Sequence, residues 1–424
     1  MYMYKMCTNS CPLCPGSGFI LPKKYRNLLS EKSVEQFNYS AKYCLDAGAN
    51  IDAPQILNSI NTDGSIAFAF KLGTPPVIGT ILSTKYAHTN GQLTPIASQI
   101  FDPLFELGNA TGIGNLSSSH VVTIEKSVIR NNIRVRLYSI DSYPTPIAEK
   151  VIAVDPTDTD PGSTNINSIS QDGRYIAFSI RNFVVLLEHV DGELIEIDRA
   201  PNGALSNGAN AFIFPDGCQC NGCFNPRVFV AVSSISETFT DARFKIYELI
   251  NDSLELIVNI QTANLATKIS VLPRKKDVLI SFGTRRAVPQ VLECKTPYIA
   301  GAGSTNSSSN GEISNYKIYQ FDGKVLRELF ADYSNTGIDA AIIHPSGKHI
   351  AITQRYTDIS PLVFGDITHE GCKLQVKISE VPEAVTAFSL GANYSLDGNW
   401  FIVSGAGSQI IQDFQVFKVK PIRL

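Results

Sequence analysis

The chain alternates between short apolar runs and polar turns, and this pattern is clearest over residues 165–198. That stretch contains the apolar runs INSIS, RYIAFSI, FVVLLEHV and ELIEI, with short polar turns between them. The turns at 172–173 and 191–192 are Asp-Gly pairs, a strong hairpin signal because glycine adopts the positive φ that such turns need. The run over 175–180 is almost wholly apolar, which predicts a strand covered on both faces. The stretch therefore predicts a four-stranded antiparallel sheet.

The same pattern recurs six more times between residues 58 and 420. Turns of the same kind stand at 63–64, 216–217 and 397–398, whereas the second copy is degraded and has two serines at 118–119. A recurring unit of four short strands joined by loops of variable length is typical of a β-propeller blade. Seven copies predict an all-β fold, a seven-bladed β-propeller.

Three of the copies carry a closely related turn and strand, SISQDGRYIAFS, IIHPSGKHIAIT and NYSLDGNWFIVS. These segments resemble the turn and strand of WD40-like and lactonase-like seven-bladed β-propellers. The resemblance implies the propeller fold. It implies no single function, because propellers of this kind include scaffolds, enzymes and carriers.

The last copy contains three apparent strands before the sequence stops at Leu424. Propellers avoid an exposed sheet edge by closing the ring, often with a strand from the other end of the chain. We therefore divide the chain into an N-terminal extension over 1–57 and a propeller over 58–424. We expect part of the extension, within 35–43 or 55–60, to complete the last blade.

Composition and charge limit the classes of partner. The chain is 44% hydrophobic and 18% charged, with a net charge of −3 and a pI near 6.1, so a general electrostatic attraction to nucleic acid or anionic membrane is not expected. The first residues lack the apolar run of a signal peptide, and no window reaches the length of a membrane span. These features predict a protein without a signal peptide that resides in the cytoplasm or within a viral particle, with no nucleic-acid or membrane partner.

Cysteine gives the least ordinary signal in the sequence. The chain has nine cysteines, an odd number that does not suit a complete disulfide framework. Two dense clusters contain C-x3-C-x2-C and C-x-C-x2-C spacings, and thiolates this close in sequence can bind one metal ion. Zinc is the candidate cofactor, while disulfides formed in an oxidising setting and free thiols are the alternatives. The candidate ligands are Cys7, Cys11 and Cys14 in the first cluster, Cys218, Cys220 and Cys223 in the second, and Cys44.

Other polar residues favour structural roles. His344 lies in the turn sequence HPSG, where we expect it to bind a backbone group. The acidic run over 155–160 lacks EF-hand spacing, and the basic run over 274–276 is expected to be a charged turn. The sequence has no nucleophile elbow, Walker loop or dinucleotide fingerprint.

These observations favour a non-catalytic β-propeller that acts as a protein-interaction or structural module, with other proteins or copies of itself as partners. One alternative is a lactonase-like hydrolase with a site at the mouth of the channel, because propeller enzymes gather polar groups from several blades. A second alternative is a structural component of a large, viral assembly that is cross-linked through the cysteine clusters. No catalytic residue is identified from the sequence.

Overall fold

The structure is a computed structural model of the 424-residue chain. The residues that it describes are 39–50, 56–71, 81–100, 102, 104–111, 119–127, 129, 131–155, 168–180, 182–203, 205–214, 219–220, 223–224, 227–236, 241–262, 265–273, 277–285, 316–332, 337–355, 362–370, 373–380, 389–406 and 412–423.

The described residues form strands and turns, and they contain no helix. Seven antiparallel sheets follow one another along the chain, so the prediction of an all-β, seven-bladed β-propeller is confirmed. We number the blades in chain order. Strand labels β1 to β29 also follow the chain, whereas "first" to "fourth" strand of a blade counts from the inside of the ring outwards.

The strands follow the chain in order, and the first strand belongs to the last blade. Strand β1 (Tyr39–Asn50) is the outer strand of blade 7. Blade 1 contains β2 (Ile56–Ile60), β3 (Ile66–Lys71), β4 (Ile81–Thr89) and β5 (Gln92–Ile100); blade 2 contains β6 (Phe105–Thr111), β7 (His120–Ser127), β8 (Asn132–Ser139) and β9 (Ala148–Ala153); blade 3 contains β10 (Tyr175–Ile180), β11 (Phe183–Val190) and β12 (Glu193–Pro201).

Blade 4 carries a small additional hairpin between its first and second strands. It contains β13 (Leu205–Ile213), the hairpin strands β14 (Gln219–Cys220) and β15 (Cys223–Phe224), then β16 (Val228–Ile235), β17 (Ala242–Ile250) and β18 (Ser253–Thr262). Blade 5 contains β19 (Leu265–Pro273), β20 (Val278–Arg285), β21 (Tyr316–Phe321) and β22 (Leu326–Asp332); blade 6 contains β23 (Gly337–Ile343), β24 (His349–Arg355), β25 (Leu362–Glu370) and β26 (Lys373–Glu380); blade 7 contains β27 (Ser389–Tyr394), β28 (Trp400–Ala406) and β29 (Gln412–Arg423).

Burial follows the position of each strand in its blade. All six residues of β10 are buried, because the sheets of the neighbouring blades cover both of its faces. The outer strand β9 instead alternates buried and exposed residues, as a strand with one solvated face does. Blade 3 differs from its prediction at the inner edge: among the described residues, its innermost strand is reduced to a single bridge between Ile169 and Ile176.

The two ends of the described chain meet in blade 7. Its strand order is β1-β29-β28-β27, and β1 pairs antiparallel with β29 from Tyr39 opposite Arg423 onwards. The hydroxyl groups of Tyr43 and Tyr394 lie 2.9 Å apart, and the Tyr43 ring stacks on Phe364 of blade 6. Strand β1 thus binds both the sheet of blade 7 and the blade next to it.

The ring has two faces that differ in the connections they carry. The turn face carries the connection between the first and second strands of each blade, and the loop face carries the connection between the second and third strands. On the turn face, the Asp397 side chain accepts hydrogen bonds from the Ser395 hydroxyl and the Asn399 backbone N–H, which fixes the Asp-Gly turn of blade 7. Gly398 has a φ of 76°, and a Cβ there would overlap the His344 ring of blade 6, so only glycine fits this turn.

Candidate functional site

Three exposed apolar side chains stand out on the loop face between blades 1 and 2. Ile129, Leu104 and Ile100 are 75%, 67% and 65% exposed, and every other exposed large hydrophobic side chain of the described residues is at most 51% exposed. Ile100 ends β5, Leu104 precedes β6, and Ile129 lies in the connection from β7 to β8. We call these three residues the apolar patch.

Backbone pairing places two members of the apolar patch at the same edge of blade 2. Phe105 pairs with Ser127 across β6 and β7, which places Leu104 and Ile129 at the same end of this strand pair. Asp102 pairs with Phe105 in an isolated bridge, and its carboxylate accepts the Leu104 backbone N–H at 2.9 Å. The turn over 102–105 is therefore tied to blade 2 by its backbone.

A cluster of charged residues lies directly beneath the apolar patch. Arg134 donates from Nη1 to Asp102 Oδ2 at 2.7 Å and from Nε to Glu125 Oε2 at 2.9 Å, and its Nη2 also contacts Glu125. The guanidinium carbon of Arg134 lies 3.9 Å from the centre of the Phe105 ring. Since Glu125 is fully buried and Arg134 is 5% exposed, the cluster fixes Asp102, and with it Leu104, to the interior of blade 2.

The cluster extends to a second arginine and a third carboxylate. Arg136 Nη1 lies 3.8 Å from Glu125, and Arg136 Nε donates to Glu149 at 2.8 Å. Burial works to raise the pKa of Asp102, but the Leu104 N–H and the Arg134 guanidinium outweigh burial and lower that pKa. Burial works to lower the pKa of Arg136, but the nearby Glu125 and Glu149 carboxylates outweigh burial and raise that pKa. The surroundings thus favour the charged forms of Asp102 and Arg136, which suits a structural support rather than an acid or base.

A polar pocket of about 480 Å³ lies on the turn face where the ring closes. His88 of β4 is buried in its wall, with Nδ1 2.7 Å from the Gly64 carbonyl and Nε2 2.8 Å from Asp46 Oδ2. Asp46 is the bulged residue of β1, which turns its carboxylate away from the ladder towards blade 1. The His88–Asp46 contact thus ties the closing strand to the first blade.

The Trp400 ring forms another wall of the same pocket. It meets the His88 ring edge to face at 5.1 Å, and Lys418 Nζ lies 5.4 Å from its centre. Gly64 has a φ of 75°, and a Cβ there would overlap the Trp400 ring. The single tryptophan of the chain therefore packs between the turn of blade 1 and Lys418, where it stabilises the closed ring.

The remaining histidines with defined contacts also join structural elements. His344 donates from Nε2 to the Gly398 carbonyl at 2.9 Å, so the expectation that it binds a backbone group is confirmed. His349 Nδ1 lies 2.8 Å from Asp366 Oδ1 across β24 and β25. His120, which opens β7, lies against Gly173 of blade 3.

The predicted cysteine ligands fall into three groups. Cys7, Cys11, Cys14 and Cys218 lie outside the described residues. Cys44 is a free, half-buried thiol in β1, and Cys220 and Cys223 are register partners in the β14–β15 hairpin. Within the described part of the chain, no three His, Cys, Asp or Glu side chains gather closely enough to hold a metal ion.

Neither the apolar patch nor its charged support was predicted from the sequence. A signal for the support was present, because Glu125 interrupts the apolar run VVTIE and Arg134 and Arg136 alternate with apolar residues in NIRVRLYS. Charged residues within core strands indicate buried pairs. The patch carried a weaker signal, since single exposed apolar residues in loops are common in all proteins.

The protonation of His344 gives a prediction for acid stability. Burial, together with His349 nearby, lowers the pKa of His344 to about 3, against about 6.5 when it is unfolded. Between these values the unfolded chain binds a proton that the folded chain excludes, so this residue destabilises the fold as the pH falls from 6.5 towards 3, by at most about 1.4 kcal/mol per pH unit. We expect His344→Gln, measured by chemical unfolding at several pH values, to flatten this acid dependence. An unchanged slope would contradict the assignment.

No family profile matches the sequence of this chain. No curated protein sequence matches it either. Among the described residues, no helix has the length and apolar character needed to span a membrane.

Solved structures do resemble the chain in fold. The Dos1 propeller is 10% identical with a TM-score of 0.50, and the comparison covers 89% of this chain and 95% of that one. Hydrazine synthase of Kuenenia stuttgartiensis is 12% identical with a TM-score of 0.51, covering 89% and 97%. A chain of the mitotic checkpoint complex is 12% identical with a TM-score of 0.52, covering 87% and 93%. The chain is thus a seven-bladed β-propeller whose likeness to these structures is one of fold.

Proposed function

We propose that the chain is a non-catalytic β-propeller that binds another protein, and that the apolar patch is the centre of the binding surface. The observation that carries this proposal is that, within the described part of the chain, the three most exposed large apolar side chains all lie on the loop face at the boundary of blades 1 and 2. Contiguous exposed apolar side chains with polar surroundings are typical of protein-binding sites.

The charged cluster beneath the apolar patch orders the surface around Leu104, and this order favours binding of a partner. The backbone bridge at Asp102 and the Arg134 contacts hold Leu104 in one position before a partner arrives. A surface that is ordered in advance loses little conformational entropy on association, which increases affinity. The partner expected here is a protein segment that presents apolar side chains, because the exposed side chains of the patch, Ile100, Leu104 and Ile129, are themselves apolar.

The histidine contacts support the non-catalytic part of the proposal. His88, His344 and His349 each bind a neighbouring strand or turn through short hydrogen bonds. A general base has to reach a substrate proton, so a histidine whose ring is held in an interblade or interstrand contact is poorly placed for catalysis.

The experiment compares a patch variant with a matched surface variant. Leu104→Asp is expected to weaken partner binding by about 30-fold or more, because a central apolar contact contributes about 2 kcal/mol or more. Leu256→Asp is the control, since Leu256 is 47% exposed on β18 of another blade. The partner is captured on the wild-type chain, identified, purified and titrated against each variant.

Equal affinity of the wild-type and Leu104→Asp chains would overturn the proposal. Sedimentation of the purified chain distinguishes a foreign partner from self-assembly. Self-association that Leu104→Asp abolishes would make a second copy of the chain the partner at this surface.

A further inference from the structure

Three exposed lysines share one face of blade 7, next to the polar pocket where the ring closes. Lys42 of β1 is the direct register partner of Lys420 of β29, and Lys418 lies two residues before Lys420. Directly opposed residues of two strands, and residues two apart in one strand, lie on the same face of a sheet. Lys418 is also the register partner of Trp400, which follows the turn of this blade, so the three lysines stand at the turn-face end. We call them the basic face.

The charges of the basic face are not compensated by neighbouring carboxylates. Lys42 and Lys420 place like charges directly opposite each other, an arrangement that destabilises a sheet. Within the described part of the chain, none of the three lysines forms an ion pair, whereas Lys317 of blade 5 lies 2.6 Å from Glu328. A local arrangement that costs stability without an evident structural gain is typical of a functional surface.

Protection of a sheet edge explains only one of these lysines. Natural proteins often place lysine on an exposed edge strand, where its charge opposes pairing with another chain. Lys42 lies on β1, the outer strand in the order β1-β29-β28-β27, but Lys418 and Lys420 lie on β29, between β1 and β28. The charges of Lys418 and Lys420 are therefore not explained by edge protection.

The surroundings of the basic face disfavour nucleic acid as the ligand. Single strands are bound without sequence preference by stacking their bases on open aromatic rings. The Trp400 ring packs against Gly64 and has Lys418 Nζ 5.4 Å from its centre, so it offers no open platform for a base. The adjoining pocket is lined by Asp46 and Asp63, whose carboxylates would repel a long polyanion. A shorter, local set of negative charges fits this surface better.

We propose that the basic face binds an acidic segment of a partner protein, with carboxylates at alternate positions of an extended chain. Alternate side chains of an extended segment project to the same side about 6.6–6.8 Å apart, which is also the spacing of Lys418 and Lys420 along β29. Lys42 adds a third positive charge directly opposite Lys420. The basic face lies on the turn face and the apolar patch on the loop face, so the two are separate binding surfaces.

The proposal is tested by titrating the full-length chain into a labelled peptide of four Glu-Thr repeats and following fluorescence anisotropy at low salt. We expect saturable binding that the neutral peptide of four Gln-Thr repeats does not show. K42E and K420E are each expected to weaken binding by about tenfold or more, because each replaces an attraction by a repulsion. The matched control is K377E, since Lys377 is exposed on the outer strand β26 of blade 6, opposite Asp366. It makes the same change in net charge and is expected to keep the affinity within about twofold.

Thermal unfolding separates a loss of binding from a loss of folding. K42E and K420E each convert the pair of like charges into a pair of opposite charges, so both variants are expected to unfold at or above the temperature of the wild-type chain. Three results would overturn the proposal: a variant that unfolds below the wild-type temperature, equal peptide affinity of the wild-type chain and both variants, or tighter binding of a thymidine oligonucleotide or an anionic vesicle than of the Glu-Thr peptide at the same salt concentration.

Discussion

Replacing Arg134 by Leu is expected to lower the free energy of unfolding by about 3–5 kcal/mol, because removal of one partner leaves a buried charge without compensation. Glu125 is fully buried, and its carboxylate accepts hydrogen bonds from two nitrogen atoms of Arg134, Nε and Nη2. The Thr123 hydroxyl, at 2.9 Å, and Arg136, at 3.8 Å, remain near the carboxylate. These two groups place the expected loss towards the lower end of the range.

Two further variants separate this explanation from a general loss of packing. The double variant E125L/R134L removes both charges and is expected to recover most of the lost stability, since a buried ion pair replaced by apolar residues is often tolerated. Arg174→Leu breaks a pair with Glu188 in which the arginine is 46% exposed, and we expect a loss below about 1 kcal/mol. Chemical unfolding of all the chains under one condition gives the comparison. A double variant less stable than R134L would contradict the explanation.

Deleting residues 1–50 is expected to abolish cooperative unfolding of the propeller, whereas deleting residues 1–37 is expected to preserve it. The longer deletion removes β1, which pairs with β29 from Tyr39 to Asn50 and covers buried residues of blade 7 such as Phe417. It also leaves β29 as an unpaired edge, which favours aggregation. The shorter deletion ends before β1 begins.

A single substitution provides a graded version of the same test. Tyr43→Ala removes the stacking on Phe364 and the contact with the Tyr394 hydroxyl, and it is expected to cost about 3–5 kcal/mol, less than loss of the whole strand. The stability of the two deletion variants and of Tyr43→Ala is measured by thermal unfolding followed by circular dichroism, together with the soluble fraction after expression. Retention of a sharp transition after deletion of 1–50 would show that the ring does not need β1.

Part of this fold could be predicted from local sequence, because some determinants are local. An Asp-Gly turn such as 397–398 predicts a hairpin, and the apolar run over 175–180 predicts a strand covered on both faces. Neither prediction requires knowledge of a distant contact. The repeat then gives the propeller. The bulge at Asp46 could not be predicted in this way, because it depends on His88 of another blade, which no local pattern connects to it.

The candidate site was harder to predict for the same reason. Arg134 binds Asp102, which lies 32 residues earlier in the chain, and the pairing depends on how the connection between blades 1 and 2 crosses the loop face. The exposure of Ile129 likewise depends on which neighbouring residues cover it, and one sequence does not give that information. The sequence thus predicts the repeated blades, whereas the candidate site, which lies in connections that depart from the repeat, can be identified only from the structure.

The pairing of the first strand with the last has a consequence for synthesis on the ribosome. Tyr43 of β1 pairs with Val419 of β29, and at about 5–20 residues per second β1 waits about 20–75 s for this partner strand. Blades 1 to 6 can pair locally during that time, but the ring gains its final contacts only after β29 has been synthesised. Such distant contacts slow folding. A ribosome that stops before β29 would therefore release a chain with two unpaired edges, a natural substrate for chaperones and proteases.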